Sequence, residues 1–357
     1  MAKFFNLKIS EKIQETKDAV SLSFDIPSEL TETFKYKQGQ YITFKLNVDG
    51  TELRRSYSIC SNPFSNEMLK VAIKQTKNGW GSVYLNQKVN VGDALEVMAP
   101  MGGFYSELNS NNKKNYYLFA GGSGITPMLS IIKAVLSLEA HSKITLFYGN
   151  LNEESIIFRN ELKQLSSDTR LTVIDILDQP ANSSFPEELK GIMDKAMLLK
   201  LIEKYVDVTS DADYFICGPT PMMQNAESLL KERVEDKKRV HLEYFSTPDL
   251  PQEVVQTAVS TSPVNCSATV ICDGDEKVIE IKAGKNILDV ALDENIDAPY
   301  ACQGGSCCTC RALLVEGKVQ MKVNFALSED EVKQGYILTC QSYPLTPNIV
   351  VDYDRGR

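Results

Sequence analysis

The stretch Cys302-Gln-Gly-Gly-Ser-Cys-Cys-Thr-Cys310 is the most informative part of this chain, and a further cysteine, Cys340, follows 30 residues later. Cys302, Cys307, Cys310 and Cys340 together give the spacing C-x4-C-x2-C…C, which holds a [2Fe–2S] cluster through four thiolates. Most residues between the first three are small, as a loop must be if its backbone N–H groups are to approach inorganic sulfide. The stretch therefore predicts an iron–sulfur centre.

A zinc site and a disulfide framework are the competing interpretations of these cysteines. Zinc prefers paired short C-x2-4-C knuckles, and this region has only one such pair. Disulfides fit poorly because the chain has nine cysteines, an odd number, and lacks a secretory signal. Cys308 competes with Cys307 as a ligand, but choosing it would give C-x5-C-x-C, so we interpret Cys308 as a bystander.

Composition limits the remaining possibilities. At 357 residues and 43% hydrophobic composition, the chain is long enough for two or three domains. A net charge of −9 argues against a nucleic-acid partner. The chain has only two histidines, His141 and His241. This number argues against a metal site or a catalytic triad built from histidines. Without a signal peptide or an apolar spanning run, we expect a cytoplasmic protein with no membrane partner.

Hydrophobic patterning predicts a multidomain protein with a change of fold class along the chain. Residues 1–107 alternate as in a small antiparallel β-barrel. Residues 108–245 show an α/β pattern with a parallel sheet. Residues 246–264 are rich in proline and small polar residues and are predicted to be a linker, and residues 265–357 form the cluster domain. Strands of the α/β region are predicted at Tyr116–Ala120, Ile144–Tyr148, Leu171–Ile176, Tyr214–Cys217 and Val240–Tyr244. Helices are predicted at Pro127–Leu138, Ser155–Leu165 and Met222–Val234.

The barrel carries a pattern suited to a flavin, at Arg55, Tyr57 and Ser58. A guanidinium can bind a pyrophosphate, an aromatic ring can lie against the isoalloxazine, and a hydroxyl can hydrogen-bond near its N5. Gly79-Trp-Gly-Ser82 then opens a short helix, whose amides offer a second pyrophosphate contact. The alternative is an ordinary amphipathic strand with Tyr57 in the core.

Two glycine turns follow strands of the α/β region: Ala120-Gly-Gly-Ser-Gly-Ile-Thr-Pro127 and Cys217-Gly-Pro-Thr-Pro-Met222. The first lacks the G-x-G-x-x-G fingerprint, although its glycines still let the backbone approach a phosphate. Both turns lie at carboxyl ends of parallel strands, where ligands bind in open α/β sheets. Taken alone, Cys217 fits better as a small buried hydrophobic residue.

Taken together, these motifs resemble the ferredoxin–NADP reductase superfamily, specifically reductases with a plant-type ferredoxin domain at the C-terminus. The resemblance covers essentially the whole chain and its domain order. The stretches 317–321 and 324–341 resemble the reductase components of phenylacetyl-CoA epoxidases. The resemblance implies FAD in the barrel, NADPH or NADH in the α/β domain, an α+β (β-grasp) ferredoxin domain, and an oxygenase as electron acceptor.

The resemblance also implies roles for particular residues. Those expected at the FAD are Arg55, Tyr57, Ser58, Gly81 and Ser82. Those expected at the nicotinamide dinucleotide and flavin edge are Gly122, Gly124, Thr126, Cys217 and Gly218. Of these, Ser58, Thr126 and Cys217 are the predicted catalytic residues. Glu243 and Phe245 border the flavin or, equally, form an ordinary exposed strand end.

One departure concerns the choice of nucleotide. After Asn150, many phosphate-binding members of the superfamily place an arginine that grips a 2′-phosphate, but this chain has Leu151 followed by Glu153 and Glu154. Arg159 can compensate from the next helix or can be a solvated helix residue. The sequence thus predicts a reductase that serves an oxygenase and leaves NADPH against NADH open. A reductase for another hydroxylase and a flavin/iron–sulfur redox sensor are the alternatives.

Overall fold

The computed structural model describes residues 3–246 and 264–356, and the chain divides into two compact units. The larger contains Phe5–Glu52 and Tyr57–Glu243, and the smaller contains the described residues up to Phe4, Leu53–Ser56 and the described residues from Tyr244 onward. Apart from its first and last residues, the linker predicted at 246–264 lies outside the described residues. The domain boundaries predicted at residues 107 and 245 stay predictions.

The first part of the chain forms a six-stranded sheet in the order β4-β3-β6-β1-β2-β5. Its strands are β1 (Phe4–Thr16), β2 (Ala19–Asp25), β3 (Tyr41–Val48), β4 (Thr51–Ser58), β5 (Leu69–Lys74) and β6 (Ala94–Met101). Helix α1 (Trp80–Gln87) lies between β5 and β6 in the chain. Strand β2 is buried along its whole length except for Asp25. Register shifts in the antiparallel pairing of β1 with β2 mark irregularities of the kind that bend a sheet. The predicted antiparallel β structure is confirmed.

A parallel five-stranded sheet follows, in the order β11-β10-β7-β8-β9. Its strands are β7 (Asn115–Gly121), β8 (Lys143–Asn150), β9 (Leu171–Leu177), β10 (Ala212–Cys217) and β11 (Val240–Glu243). The chain winds from β7 outward through β8 and β9, and then crosses to β10 on the other side of β7. The carboxyl ends of β7 and β10 therefore meet, with Ala120 paired to Cys217. In open α/β sheets this reversal point is where ligands bind.

Helices of the α/β region are α2 (Ile125–Leu138), α3 (Arg159–Leu165), α4 (Lys195–Tyr205) and α5 (Thr220–Lys231). The helix predicted from Ser155 is wrong at its start, because Phe158 has φ +62° and interrupts the helical path before Arg159. Helix α4 has no counterpart in the sequence prediction. None of the described helices is both long and apolar enough to cross a bilayer.

The smaller unit is a mixed sheet in the order β13-β12-β18-β14-β16, in which β12 and β18 are parallel. Its strands are β12 (Cys266–Cys272), β13 (Asp275–Ile281), β14 (Arg311–Glu316), β16 (Tyr336–Leu338) and β18 (Asn348–Asp352). Short strands β15 (Val319–Met321) and β17 (Ser342–Pro344) pair separately, and the helices are α6 (Ile287–Asp293) and α7 (Glu329–Lys333). Apolar residues of α6 join the core of this sheet. The sheet with its packed helix confirms the α+β class.

Candidate active site and cluster loop

The four predicted ligand cysteines lie in two pairs. The sulfur atoms of Cys302 and Cys307 are 3.1 Å apart, and the Cys310 thiol hydrogen-bonds the sulfur of Cys340. The neighbouring thiol lowers the pKa of Cys302, to about 5, and that of Cys340. Two pairs of sulfurs suit two irons that each take two thiolates.

Backbone contacts fix the loop around these sulfurs. Gly305 has φ +76°, and a Cβ atom there would lie 3.0 Å from the side chain of Val323, so this turn requires glycine. The carbonyl of Cys310 accepts hydrogen bonds from the Thr339 amide at 3.2 Å and the Thr339 hydroxyl at 3.0 Å. The buried Tyr353 hydroxyl donates to Thr339 Oγ1 at 2.9 Å. These bonds tie the segment before Cys340 to Cys310 without using a sulfur atom. The ligand assignment itself stays a prediction.

Strand β4 presents the predicted flavin residues with different exposures. Arg55 is exposed, as a group that binds a pyrophosphate has to be, and its guanidinium donates to the Arg54 carbonyl at 2.8 Å. Tyr57 is half-buried and its ring packs against Phe44 with centroids 5.6 Å apart. Ser58, the last residue of the strand, is buried. The strand thus keeps Arg55 accessible and holds Ser58 inside.

Ser58 contacts the end of one strand of the parallel sheet, beside the end of the next. Its hydroxyl donates to Glu243 Oε2 at 2.8 Å, and Glu243 pairs in register with Cys217 on the neighbouring strand. Burial raises the pKa of the Glu243 carboxyl to about 8, against the lowering effect of the Ser58 hydrogen bond. Burial, with a contribution from Glu243, also raises the pKa of Cys217. At neutral pH the group is therefore a protonated carboxylic acid, a thiol and a hydroxyl, with no net charge.

The two glycine turns pack directly against each other beside this group. A Cβ atom on Gly124 would lie 2.1 Å from the Cys217 carbonyl oxygen, and one on Gly218 would lie 2.8 Å from the Gly121 amide nitrogen. Only glycine permits this approach of backbones. The Tyr148 hydroxyl donates to the Gly122 carbonyl at 3.1 Å. The first turn is thus held from the adjacent strand as well.

Some predicted site residues have structural hydrogen bonds of their own. Thr126 is buried, and its hydroxyl donates to the Ser123 carbonyl at 3.1 Å, which closes the first turn. Ser82 accepts from the Thr76 amide at 3.1 Å and donates to the Gly79 carbonyl at 3.0 Å. These two hydroxyls shape their turns, while the roles of Gly81, Ser82 and Thr126 toward a cofactor stay predictions. Phe245 is 47% exposed, and its role stays a prediction too.

The carboxyl end of β8 contains an unsatisfied amide. Both polar side-chain atoms of Asn150 are buried and lack a well-formed hydrogen bond in the part of the chain that the structure describes, although the side chain lies close enough to the Tyr148 hydroxyl to interact with it. An orphaned buried amide fits a bound polar ligand. The carboxylate of Glu153 is already engaged, because it accepts hydrogen bonds from the backbone amides of Ala181 at 2.9 Å and Asn182 at 3.2 Å.

Arg159 is the first residue of α3, the helix that follows these residues in the chain. Its charge lowers the pKa of Asp175, although burial of that carboxyl outweighs it and the pKa is raised. Arg159 also favours ionisation of Glu153, whose pKa is lowered mainly by the backbone amides. The arginine predicted to compensate for Leu151 therefore interacts with two acidic groups. Leu151 itself is half exposed and offers nothing to a phosphate.

Glu243 is the residue of this group whose role the sequence leaves undecided. It ends a four-residue strand, and a carboxylate at a strand end is ordinarily solvated. Ser58 lies 185 residues earlier in the chain, so no local pattern connects them. The available signal was the parallel-sheet order, which places the end of β11 beside the end of β10.

Three family models match the chain, in the same order as its elements. They are an oxidoreductase FAD-binding domain over residues 6–105, an oxidoreductase NAD-binding domain over residues 118–228, and a 2Fe-2S iron-sulfur cluster binding domain over residues 270–345. The cofactor set expected from the motifs is therefore confirmed at the level of the domains.

Full-length relatives have the same organisation. A component of the 1,2-phenylacetyl-CoA epoxidase of Escherichia coli is 38% identical over 357 residues, which cover 99% of each chain. The ferredoxin reductase component of a 3-ketosteroid-9-alpha-monooxygenase of Rhodococcus rhodochrous is 32% identical, over 97% of this chain and 96% of the relative. In fold the chain is similar to a phthalate dioxygenase reductase, with a TM-score of 0.58, 23% identity and 98% coverage of both chains. The chain therefore belongs to the ferredoxin–NADP reductase superfamily, among the oxygenase reductase components that join an FAD-binding, an NAD-binding and a C-terminal [2Fe–2S] domain.

Proposed function

We propose that this protein takes electrons from NADPH or NADH and delivers them to an oxygenase of the phenylacetyl-CoA epoxidase type. The observation that carries the proposal is the meeting of Ser58, Cys217 and Glu243 at the reversal point of the parallel sheet. The end of the flavin strand there adjoins the strand ends where a dinucleotide binds in this class of sheet. The 38% identity to the epoxidase component of Escherichia coli supports the choice of acceptor.

Each part of the site then has a task. Arg55 and Tyr57 hold the flavin, and Gly122, Gly124 and Gly218 let the dinucleotide approach the backbone. The buried Ser58 hydroxyl and the protonated Glu243 carboxyl present a neutral, hydrogen-bonding wall beside Cys217. FAD when bound accepts a hydride, and a [2Fe–2S] cluster carries single electrons, so the pair converts two-electron into one-electron transfer. The protein supplies position and exclusion of water.

We assign Cys302, Cys307, Cys310 and Cys340 as the ligands of the [2Fe–2S] cluster through which electrons leave. Cys308 is not a ligand in this assignment. The pairing of the four sulfurs supports this assignment. We place the protein in the cytoplasm, where thiols stay reduced. In support, no disulfide joins the cysteines of the described residues.

Reconstitution with a purified oxygenase tests the proposal. Under anaerobic conditions NADPH or NADH should bleach the flavin and cluster absorbance rapidly. With the oxygenase component of a phenylacetyl-CoA epoxidase present, nucleotide oxidation should be coupled to formation of the epoxide. A matched chain with Cys310→Ser should reduce its flavin and fail to support the oxygenase.

The rival functions give different results in the same assays. Coupling to a steroid monooxygenase but not to the epoxidase would make this a reductase for another hydroxylase, in line with the 32% identical relative. Slow or absent bleaching by both nucleotides would favour a redox sensor, and the electron-transfer proposal would then be wrong.

A further inference from the structure

One face of helix α2 connects the two cofactor regions of the larger unit. The helix begins immediately after the glycine turn at Gly122–Gly124. Its residues Ser130, Lys133 and Ser137 are spaced three and four apart and so lie on one face. All three contact residues 61–67, the segment that closely follows the flavin strand. A rigid element thus starts at the dinucleotide turn and bonds to the end of the flavin strand.

Two of these contacts are hydrogen bonds between uncharged groups. Ser130 is fully buried, and its hydroxyl donates to the Ser61 carbonyl at 2.7 Å. Asn62 Nδ2 donates to the Ser137 hydroxyl at 2.7 Å. Ser61 is three residues beyond Ser58, so a shift of α2 along the barrel would be passed to the flavin strand through a short, buried connection.

The third contact is a buried cation between two carboxylates. Lys133 is only 8% exposed. Its Nζ lies 2.8 Å from Glu67 Oε1 and 2.5 Å from Glu161 Oε1. Glu67 belongs to the barrel, and its other oxygen, Oε2, accepts a hydrogen bond from the backbone amide of Asn62 at 2.9 Å. Glu161 belongs to α3. Burial opposes the charge on Lys133, but the two carboxylates outweigh it and raise the pKa of the lysine. The lysine therefore stays charged and joins three segments at one point.

This arrangement is more than the general electrostatics of the barrel surface. Lys70 also faces Glu67, with Nζ 3.8 Å from Oε1, but both residues belong to the barrel and are three apart in sequence. The Lys70–Glu67 contact therefore cannot fix the position of the barrel relative to the α/β region. Lys133 alone of the two reaches Glu67 from the helix that carries the dinucleotide turn.

We infer that Lys133 is a positioning residue that sets the alignment of the flavin strand with the dinucleotide turn and thereby the rate of hydride transfer. The inference rests on the proposed function. Small displacements at reacting centres are costly, because a misplacement of about 1 Å can slow a reaction on the order of 100-fold. Lys133 touches neither cofactor region directly and acts through Glu67 and Glu161.

The test compares Lys133→Met with Lys70→Met in the full-length, cofactor-loaded protein. For Lys133→Met we expect unchanged flavin content, at least a tenfold slower single-turnover reduction of the flavin by NADPH or NADH, and a weaker long-wavelength charge-transfer absorbance between flavin and nicotinamide. Amide hydrogen exchange over residues 59–67, measured without nucleotide, should become faster. Lys70→Met should match the wild type within twofold in all of these measurements.

A further variant separates alignment by the lysine from damage by unpaired charges. In Lys133→Met with Glu67→Gln and Glu161→Gln, no carboxylate is left unpaired, and slow reduction should persist. A wild-type rate in this variant, a wild-type rate in Lys133→Met, or an equal loss in Lys70→Met would overturn the inference. If the wild type itself is not reduced by nucleotide, the proposed function fails, whereas the exchange measurement still decides whether Lys133 joins the segments.

Discussion

Replacing Glu243 by glutamine should remove a pH-dependent loss of stability. Burial raises the pKa of this carboxyl from its ordinary 4.5 to about 8, the Ser58 hydrogen bond acting the other way. At about 1.36 kcal/mol per pKa unit, the difference corresponds to on the order of 5 kcal/mol. This figure is an upper bound, because Glu243 keeps some exposed surface.

The sign follows from which state binds the proton more tightly. Below pH 4.5 the carboxyl is protonated in both the folded and the unfolded chain, and its contribution to stability is fully present. Between pH 4.5 and about 8 the folded chain keeps a proton that the unfolded chain has lost, so this contribution falls as the pH rises. Above that window both states are ionised and the full cost of the buried charge remains. Glutamine cannot ionise, and its side-chain oxygen can still accept the Ser58 hydroxyl.

Release of flavin fluorescence during heating provides the assay. Between pH 5 and pH 9 the wild type should lose several degrees of melting temperature relative to Glu243→Gln, at about 2–4 °C per kcal/mol for a unit of this size. Glu188→Gln, which changes an exposed carboxyl, is the matched control and should follow the wild type. Parallel pH profiles for the wild type and Glu243→Gln would refute the reasoning, since the carboxyl would then titrate alike in both states.

Three further predictions concern the cofactors. Cys308→Ser should keep the [2Fe–2S] absorbance and the reduced-state EPR signal, whereas Cys307→Ser should lose or alter them; the reverse pattern would exchange their roles. Arg55→Ala should weaken flavin binding by one to two decades in Kd, because a charge-assisted hydrogen bond contributes about 1.5–3 kcal/mol, and full occupancy after extensive dilution would contradict this. Arg159→Ala should abolish any preference of kcat/KM for NADPH over NADH, and an unchanged ratio would place recognition of the 2′-phosphate elsewhere.

Local patterns predicted the elements well because each has its own periodicity. Apolar runs located all five parallel strands to within a few residues, and glycine turns marked where two of them end. The start of α3 differs from the prediction because Phe158 adopts a left-handed conformation. Phenylalanine rarely adopts this conformation, so the sequence does not predict it. The [2Fe–2S] domain was predicted from cysteine spacing alone, since three of the four predicted ligands are close in sequence.

Contacts between distant segments were beyond local patterns. Ser58 and Glu243 are 185 residues apart, and Lys133 and Glu67 are 66 apart. Each residue taken alone has an ordinary role: a strand serine, a strand-end glutamate, a helix lysine. The roles proposed for them follow only from the sheet order, which brings strand ends together and turns one face of α2 toward the barrel.

Lys133 and Glu243 differ in their charge at neutral pH, and the difference has a physical reason. Lys133 is buried with two carboxylates and stays ionised, so its geometry is fixed by strong, directional contacts. Glu243 is half-buried beside a hydroxyl and a thiol, with desolvation of its carboxyl raising the pKa to about 8, and is neutral at pH 7. An ionised carboxylate there would repel the phosphates of an approaching dinucleotide, whereas a carboxylic acid can still donate or accept a hydrogen bond. In the proposed function, the charged Lys133 thus lies where segments are joined, and the strand end at Glu243 that is assigned to the ligands is uncharged.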